Sequence, residues 1–215
     1  MITITAYKWV PPFAQGLVRD LRARWALEEI SLPYRVNLIA HPDRLSPDHV
    51  ARQPFAQIPV YEEDGLTLFE SGAILLHIAE KSEALLPWDP AGRSRAIQWV
   101  FAALNSVEQF VQGYVALDAF YPNEEWAKLR KPSARAQLDA RLAQLSQRLA
   151  KREYLEDRFT AGDLMMSNVL RILRDTDVLA AFPNLAAYRA RCEARPAFQR
   201  ALTGQLGDFE QQNAA

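Results

Sequence analysis

The stretch Gln53-Pro54-Phe55-Ala56-Gln57-Ile58-Pro59-Val60, continued by Asp64-Gly65-Leu66-Thr67-Leu68-Phe69-Glu70-Ser71-Gly72-Ala73-Ile74, decides how the N-terminal part of this chain folds. Glu63-Asp64-Gly65 lies between two apolar runs, Ile58 to Glu62 and Leu66 to Phe69. Asp-Gly in that setting supplies the positive-φ residues of a tight hairpin, so two antiparallel strands are expected. Pro59 has no N–H to give to a ladder and fits where a strand opens. Ser71 stands where a helix can begin, and Ile74, Leu75 and Ile78 form that helix's apolar stripe.

Upstream, Ile2, Ile4 and Ala6 alternate with Thr3, Thr5 and Tyr7, the period of a half-buried strand. After Pro11-Pro12, the recurrence of Leu17, Leu21 and Trp25 predicts a helix running to about Ile30. Leu32-Pro33 breaks it, and Tyr34 to Ile39 is a second strand. Strand, helix and strand in that order imply a right-handed crossover and parallel pairing. His41 to Pro54 carries three prolines and has room for one short helix. The order is βαβ followed by ββα, one four-stranded sheet with helices on it. Downstream the texture changes. Leu86-Pro87-Trp88-Asp89-Pro90 reads as a linker, and from Arg93 onward strand signals vanish. A long apolar-rich helix is expected from Arg93 to about Phe120. Leu138, Leu142, Leu145 and Leu149 stripe another. A third begins after Thr160-Ala161-Gly162-Asp163. A fourth carries Leu185, Tyr188 and Cys192 and ends at Arg195-Pro196. The expected division is an α/β domain over 1–82, a linker over 83–92 and an all-helical domain over 93–215.

Composition narrows the function. Of 215 residues 49% are apolar, which is ample for a core and excludes a disordered chain. Twenty-five basic against 26 acidic residues leave a net charge of −1, with no general pull toward nucleic acid or an anionic membrane. No run approaches the ~18 apolar residues of a membrane helix. Cys192 is the only cysteine, so an intrachain disulfide is impossible, and with His41, His49 and His77 it makes no zinc-ligand spacing. No metal is expected. The N-terminus reads as a strand rather than a signal peptide, and the expectation is a cytoplasmic protein.

The two quoted segments closely resemble the glutathione-binding half of cytosolic glutathione transferases. Trp25-Ala26-Leu27-Glu28-Glu29 with Leu32-Pro33-Tyr34 resembles the end of that family's first helix. Thr160-Ala161-Gly162-Asp163 resembles the capping box that opens its buried C-terminal helix. Pro183-Asn184-Leu185-Ala186-Ala187-Tyr188 and Arg195-Pro196-Ala197-Phe198 match its C-terminal pattern. The resemblance runs from about residue 2 to residue 203 and fits a bacterial type of no assigned class. It implies an α/β thioredoxin-like N-terminal domain, an all-α C-terminal helical domain, glutathione as co-substrate and an apolar electrophile bound between the domains. It also implies a homodimer, for which Phe55 is a candidate anchor.

The resemblance also implies roles for residues. Pro59 matches the family's cis proline, which would turn the backbone N–H and C=O of Ile58, beside Gln57, toward a peptide ligand. A helix N-terminus suits a carboxylate, and Ser71 adds a hydroxyl. Glu70 offers an anion for an α-ammonium group, so the pair matches a γ-glutamyl head. Ser71 as a plain helix cap and Pro59 as a plain strand opener are the structural alternatives. Arg44 resembles the loop residue that holds the glycine carboxylate, with a solvated loop arginine as the alternative. Thr160 and Asp163 read as structural, reciprocally satisfying backbone N–H groups. Thiol activation departs from the family pattern, because no Ser, Thr, Cys or Tyr occurs from Lys8 to Ile30. Two candidates stand: Tyr7 at the strand end, and the loop around Gln15 and Gly16 at the helix start, where backbone N–H groups lower a thiol pKa. Trp9, Phe13, Phe101, Asn105 and Tyr114 are candidate walls of the second-substrate pocket, with core packing as the alternative for each helical aromatic.

Overall fold

The computed structural model describes the backbone of residues 1–213 and side chains as far as Phe209. The chain divides into two compact units. One comprises Met1–Leu86 together with the chain from Ala194 onward, and the other is Pro87–Glu193.

The first unit is built on a four-stranded sheet of order β2-β1-β3-β4. Strands β1 (Ile2–Tyr7) and β2 (Tyr34–Ile39) run parallel, with Ile2 opposite Tyr34 and Tyr7 opposite Ile39. Strand β3 (Val60–Glu63) is antiparallel to β1, and β4 (Leu66–Leu68) is antiparallel to β3. Asp64 and Gly65 have φ of 49° and 88°, the two positive values that a two-residue hairpin turn of the twist-matching kind requires. Three helices belong to this part of the chain: α1 (Asp20–Glu29), α2 (Pro47–Arg52) and α3 (Ser71–Ala79). This is the expected thioredoxin-like order.

Helix α1 begins later than its apolar stripe suggests. Residues 11–17 form successive turns instead, with the N–H of Ala14, Gln15 and Leu17 donating to the carbonyls of Pro11, Pro12 and Ala14 at 2.8, 3.2 and 2.9 Å. Gly16 in the left-handed region (φ 75°) breaks helical continuity, so Leu17 lies in a loop.

The second unit is helical. Helix α4 (Pro90–Phe101) passes through a π-helical segment, Ala102–Glu108, into α5 (Gln109–Phe120), so the one long helix expected is one continuous rod with a widened middle. Helices α6 (Glu125–Leu149), α7 (Ala161–Arg171) and α8 (Pro183–Glu193) complete it. At the start of α7, the Gly162 N–H donates to Thr160 Oγ1 at 3.2 Å and the Thr160 N–H donates to Asp163 Oδ2 at 3.0 Å. Gly162 is required for packing: a Cβ there would sit 2.5 Å from that of Trp99 on α4. Asp163 also accepts from the Leu155 N–H at 2.8 Å and the Tyr188 hydroxyl at 2.9 Å. No helix among the described residues is long and apolar enough to cross a membrane.

Arg195-Pro196 does not end the chain's regular structure. Pro196 opens a further helix, α9 (Pro196–Asn213), in the first helical position where its missing N–H costs nothing. The sequence reading groups all of 93–215 as one helical domain, whereas by packing α9 belongs to the first unit. It lies against α1, where Phe198 meets Trp25 edge-on at 4.8 Å and Arg195 grips Glu29 with two bonds of 2.6 and 2.8 Å. Gln205 Nε2 donates to buried Asp20 at 2.8 Å, and Arg24 bridges Asp20 and Asp208 at 2.7 and 2.5 Å. The chain returns because α1, with Leu21, Trp25 and Leu27 fully buried, is apolar on more of its surface than the sheet alone covers.

Candidate functional site

Three loops meet at one end of the first unit: the segment after β1, the segment before β3, and the junction between β4 and α3. Each is fixed by its own local chemistry. In the segment before β3, the Phe55 N–H donates to the buried Gln53 Oε1 at 2.6 Å and the Ala56 N–H donates to the Gln53 carbonyl at 3.0 Å. Ala56 takes up a left-handed φ of 52°, and the Ile58–Pro59 peptide bond is cis. His49 from α2 is buried, and its Nε2 donates to the Gln57 carbonyl at 2.7 Å. That bond fixes the tautomer and ties α2 to the peptide preceding Ile58. Arg44 Nη1 donates to the Ala56 carbonyl at 3.4 Å, bracing the same loop from the other side. The N–H and C=O of Ile58 have no hydrogen-bond partner among the described residues, because the β1–β3 ladder begins only at Val60.

The junction before α3 is strained. Glu70 is exposed and holds φ 69° and ψ 113°, a region that a side-chain-bearing residue enters at a cost of ~1–3 kcal/mol. Such strain persists where surrounding structure fixes it. Ser71 is the first residue of α3, and the cap position before it is held by Glu70, whose side chain makes no capping bond. Ser71 thus stands one residue inside the cap position that the plain-cap alternative gave it. Its Oγ accepts a bond of 3.1 Å from Nη1 of Arg22, a buried guanidinium on α1. The start of α3 thus combines first-turn N–H groups, a hydroxyl oriented by a cation, and that cation's charge. All three favour an anion.

Between the segment after β1 and the segment before β3 lies a cleft of about 240 Å³, lined by Tyr7, Leu17, Val18, Arg19, Gln57 and Ile58. Tyr7, the last residue of β1, packs its ring at 5.3 Å from that of His41. Partial burial raises the Tyr7 phenol above its ordinary value, opposed in part by the charge of Arg44. Tyr7 therefore keeps its proton at neutral pH and faces the cleft as a donor. Gln15 is placed differently. Its Nε2 donates to the Val10 carbonyl at 3.2 Å, which closes the loop on itself.

The remaining candidates fall in both units. Trp9 and Phe13 are 45% and 51% exposed in the first. In the second, Phe101 at the end of α4 and Asn105 in the middle of the π-helical segment are exposed, and Tyr114 is buried beneath the charged ends of Lys131 and Arg135 at 5.9 and 5.8 Å. Two residues that position the site escape a reading of the sequence. Arg22 is a charge on the apolar face of α1, three residues before Trp25, and that misplaced charge is its only sequence signal. His49 shows none, since its partner is a backbone carbonyl eight residues away. Among the described residues no group of three His, Cys, Asp or Glu side chains could hold a metal ion.

Comparison with known proteins agrees with this geometry. Residues 4–80 match the family model of the glutathione S-transferase N-terminal domain, and residues 101–196 match that of the C-terminal domain. The chain is 28% identical to glutathione S-transferase 4 of Zea mays, covering 90% of this chain and 89% of that protein. It is 31% identical to maleylacetoacetate isomerase of Rhizobium meliloti, covering 84% and 89% respectively. A glutathione transferase of Burkholderia graminis, solved with two glutathione molecules per subunit, superposes with a TM-score of 0.82 at 29% identity, over 94% of this chain and 87% of that one. With both domain models matched in order and the sheet, cleft and helical unit as described, this chain belongs to the glutathione S-transferase family.

Proposed function

We propose that the protein binds glutathione across the three loops of the first unit and conjugates its thiol to an apolar electrophile. The observation that carries the reading is the convergence, at one end of one sheet, of the unpaired Ile58 peptide groups, the Arg22-supported Ser71 hydroxyl and a cleft containing Tyr7. A γ-glutamyl head presents a carboxylate and an ammonium on one carbon. Ser71 and the first N–H groups of α3 take the carboxylate, and Glu70 takes the ammonium. The cysteinyl residue of glutathione pairs with the N–H and C=O of Ile58 as an added strand. Gln57 flanks it, and Arg44 lies on the side where the glycine carboxylate ends. The thiol then falls toward Tyr7.

Chemically, the thiolate attacks an electrophilic carbon, a C–S bond forms, and the leaving group departs or a proton is taken up. Tyr7 assists by donating a hydrogen bond to the thiolate, which lowers the thiol's pKa. Tyr7 is favoured over Gln15 because Tyr7 lines the cleft, whereas the Gln15 amide is held by Val10. Trp9 and Phe13 are offered as the part of the first unit that receives the electrophile. The functional unit is a homodimer in the cytoplasm.

Calorimetry with glutathione tests the site. Loss of a charge-assisted contact costs ~1.5–3 kcal/mol, so Ser71→Ala and Glu70→Gln should each weaken binding at least several-fold. Unchanged affinity in both variants sinks the assignment. A second reading, glutathione binding without conjugation, draws on the absence of any Ser, Thr or Cys from Lys8 to Ile30. Retention on immobilised glutathione with no turnover of an activated aryl halide would select it.

A further inference from the structure

His49 lies on α2, a helix of six residues, and is 1% exposed. Its Nε2 meets the Gln57 carbonyl at 2.7 Å. A carbonyl only accepts, so Nε2 carries the proton of the ring and Nδ1 is left as an acceptor. Nδ1 is buried and has no hydrogen-bond partner among the described residues. For packing alone an apolar side chain would serve better, since it leaves no buried polar atom unmet. What the ring adds is the Nε2–H on the Gln57 carbonyl. The loop before β3 holds its earlier peptides by itself: Gln53 takes the Phe55 N–H on its side chain and the Ala56 N–H on its carbonyl. The Gln57 carbonyl, by contrast, has no backbone partner among the described residues. The Gln57–Ile58 bond is trans, the cis bond being the one that follows Ile58. In a trans peptide the C=O and the N–H are coplanar and point to opposite sides. Holding the Gln57 oxygen on α2 therefore turns the Ile58 N–H away from α2, and Gln57 and Ile58 both line the cleft. One imidazole bond thus sets the direction of the donor on the far side of the same peptide.

Building on the glutathione-binding reading, we infer that His49 is a positioning residue for the ligand: it fixes the plane of the Gln57–Ile58 peptide so that the Ile58 N–H stands ready for the cysteinyl carbonyl of glutathione. Without that bond the plane turns about the single bonds on either side of it, and the donor must be ordered at the moment of binding. Calorimetry with glutathione on two variants tests this. His49→Leu removes the donor and should weaken glutathione about five-fold or more. His49→Gln returns an amide N–H on a side chain of similar reach and should bind within about two-fold of the wild type. A role in packing alone predicts the reverse order, because leucine suits a buried site better than glutamine. Unchanged affinity in His49→Leu overturns the inference, as does equal weakening in the two variants. The wild type supplies an arm that needs no variant to fold. By nuclear magnetic resonance on protein with isotope-labelled histidine and isoleucine, the His49 ring should be protonated at Nε2. Saturating glutathione should move the His49 Nε2–H and Ile58 amide signals together, because hydrogen bonds at the two ends of one peptide polarise each other. A ring protonated at Nδ1 instead, or a His49 signal that stays still while that of Ile58 moves, rejects the role of His49 and leaves the glutathione reading standing. If the wild type gives neither binding heat nor a shift at Ile58, the glutathione reading fails and the inference falls with it.

Discussion

Tyr7 shows how much one side chain's surroundings decide. Its phenol is raised by partial burial and faces the cleft, so it remains a donor throughout the neutral range. Removal of one donor from a preorganised site costs ~2.7–4 kcal/mol, a 10²–10³-fold effect. Tyr7→Phe should therefore lower turnover by that factor and move glutathione ionisation on the protein to higher pH, with glutathione affinity little changed. Thiolate absorbance against pH reads this directly. If Tyr7→Phe ionises glutathione as the wild type does, activation belongs to the loop backbone. Glu70 makes the same point through the backbone: it holds a positive φ of 69° at the cap of α3, where a relaxed residue would continue the strand.

At the scale of an element, α7 is held by one carboxylate. Asp163 is fully buried and accepts from the Leu155 and Thr160 N–H groups and the Tyr188 hydroxyl, yet burial outweighs these bonds and raises its carboxyl from 3.8 to about 6. The folded state therefore keeps a proton that the unfolded chain has released between these two values. Stability from this group is fullest below about pH 4 and declines as pH rises to about 6. The change is on the order of 3 kcal/mol. Asp163→Asn should flatten that decline, so urea midpoints at pH 4 and pH 6.5 should lie closer together in the variant than in the wild type. Parallel loss in both proteins would reject the account. Glu63 runs the other way. Lys81 first, then Tyr61 and His77, hold its carboxyl down at about 2, and it ties the β3–β4 hairpin to α3 until strongly acid pH.

For the molecule as a whole, the decisive contact is the return of α9 to α1. Asp20 and Arg24 are 1% and 3% exposed, so their pairing is nearly free of solvent screening. Breaking such a pair leaves a buried charge undercompensated and costs ~3–5 kcal/mol. Asp20→Ala should lower stability by about 3 kcal/mol, the smaller figure because Arg24 keeps Asp208. Gln205 also donates to the Val18 carbonyl at 3.2 Å, and Val18 lines the cleft, so the same variant should weaken glutathione binding. Equilibrium unfolding and calorimetry check both halves. Assembly is tested at Phe55, which is 64% exposed with its ring edge-on to Phe69 at 6.1 Å. The proposed homodimer should sediment at twice the chain mass, and Phe55→Ser should shift it toward monomer at micromolar concentration. A wild-type monomer would reject the proposal.

What the sequence alone determined was whatever depends on near neighbours. Asp64-Gly65 specified a hairpin because its two positive φ values are a local steric matter. The spacing of Thr160 and Asp163 specified a capping box for the same reason. Two-residue and near-four-residue periods separated the sheet-bearing part from the helical part. The Gln57 to Val60 and Glu70-Ser71 segments marked the candidate site, since its backbone groups are consecutive in the chain. Only the tertiary structure decided the rest. It gave Ser71 its partner, Arg22, 49 residues away. It turned His49 onto the Gln57 carbonyl, held Gln15 back to Val10, and brought α9 across to α1. Each of these is a buried polar group meeting a group distant in the chain or a backbone atom. No periodicity records such a meeting, because burial makes an unmet hydrogen bond costly without fixing which group will meet it.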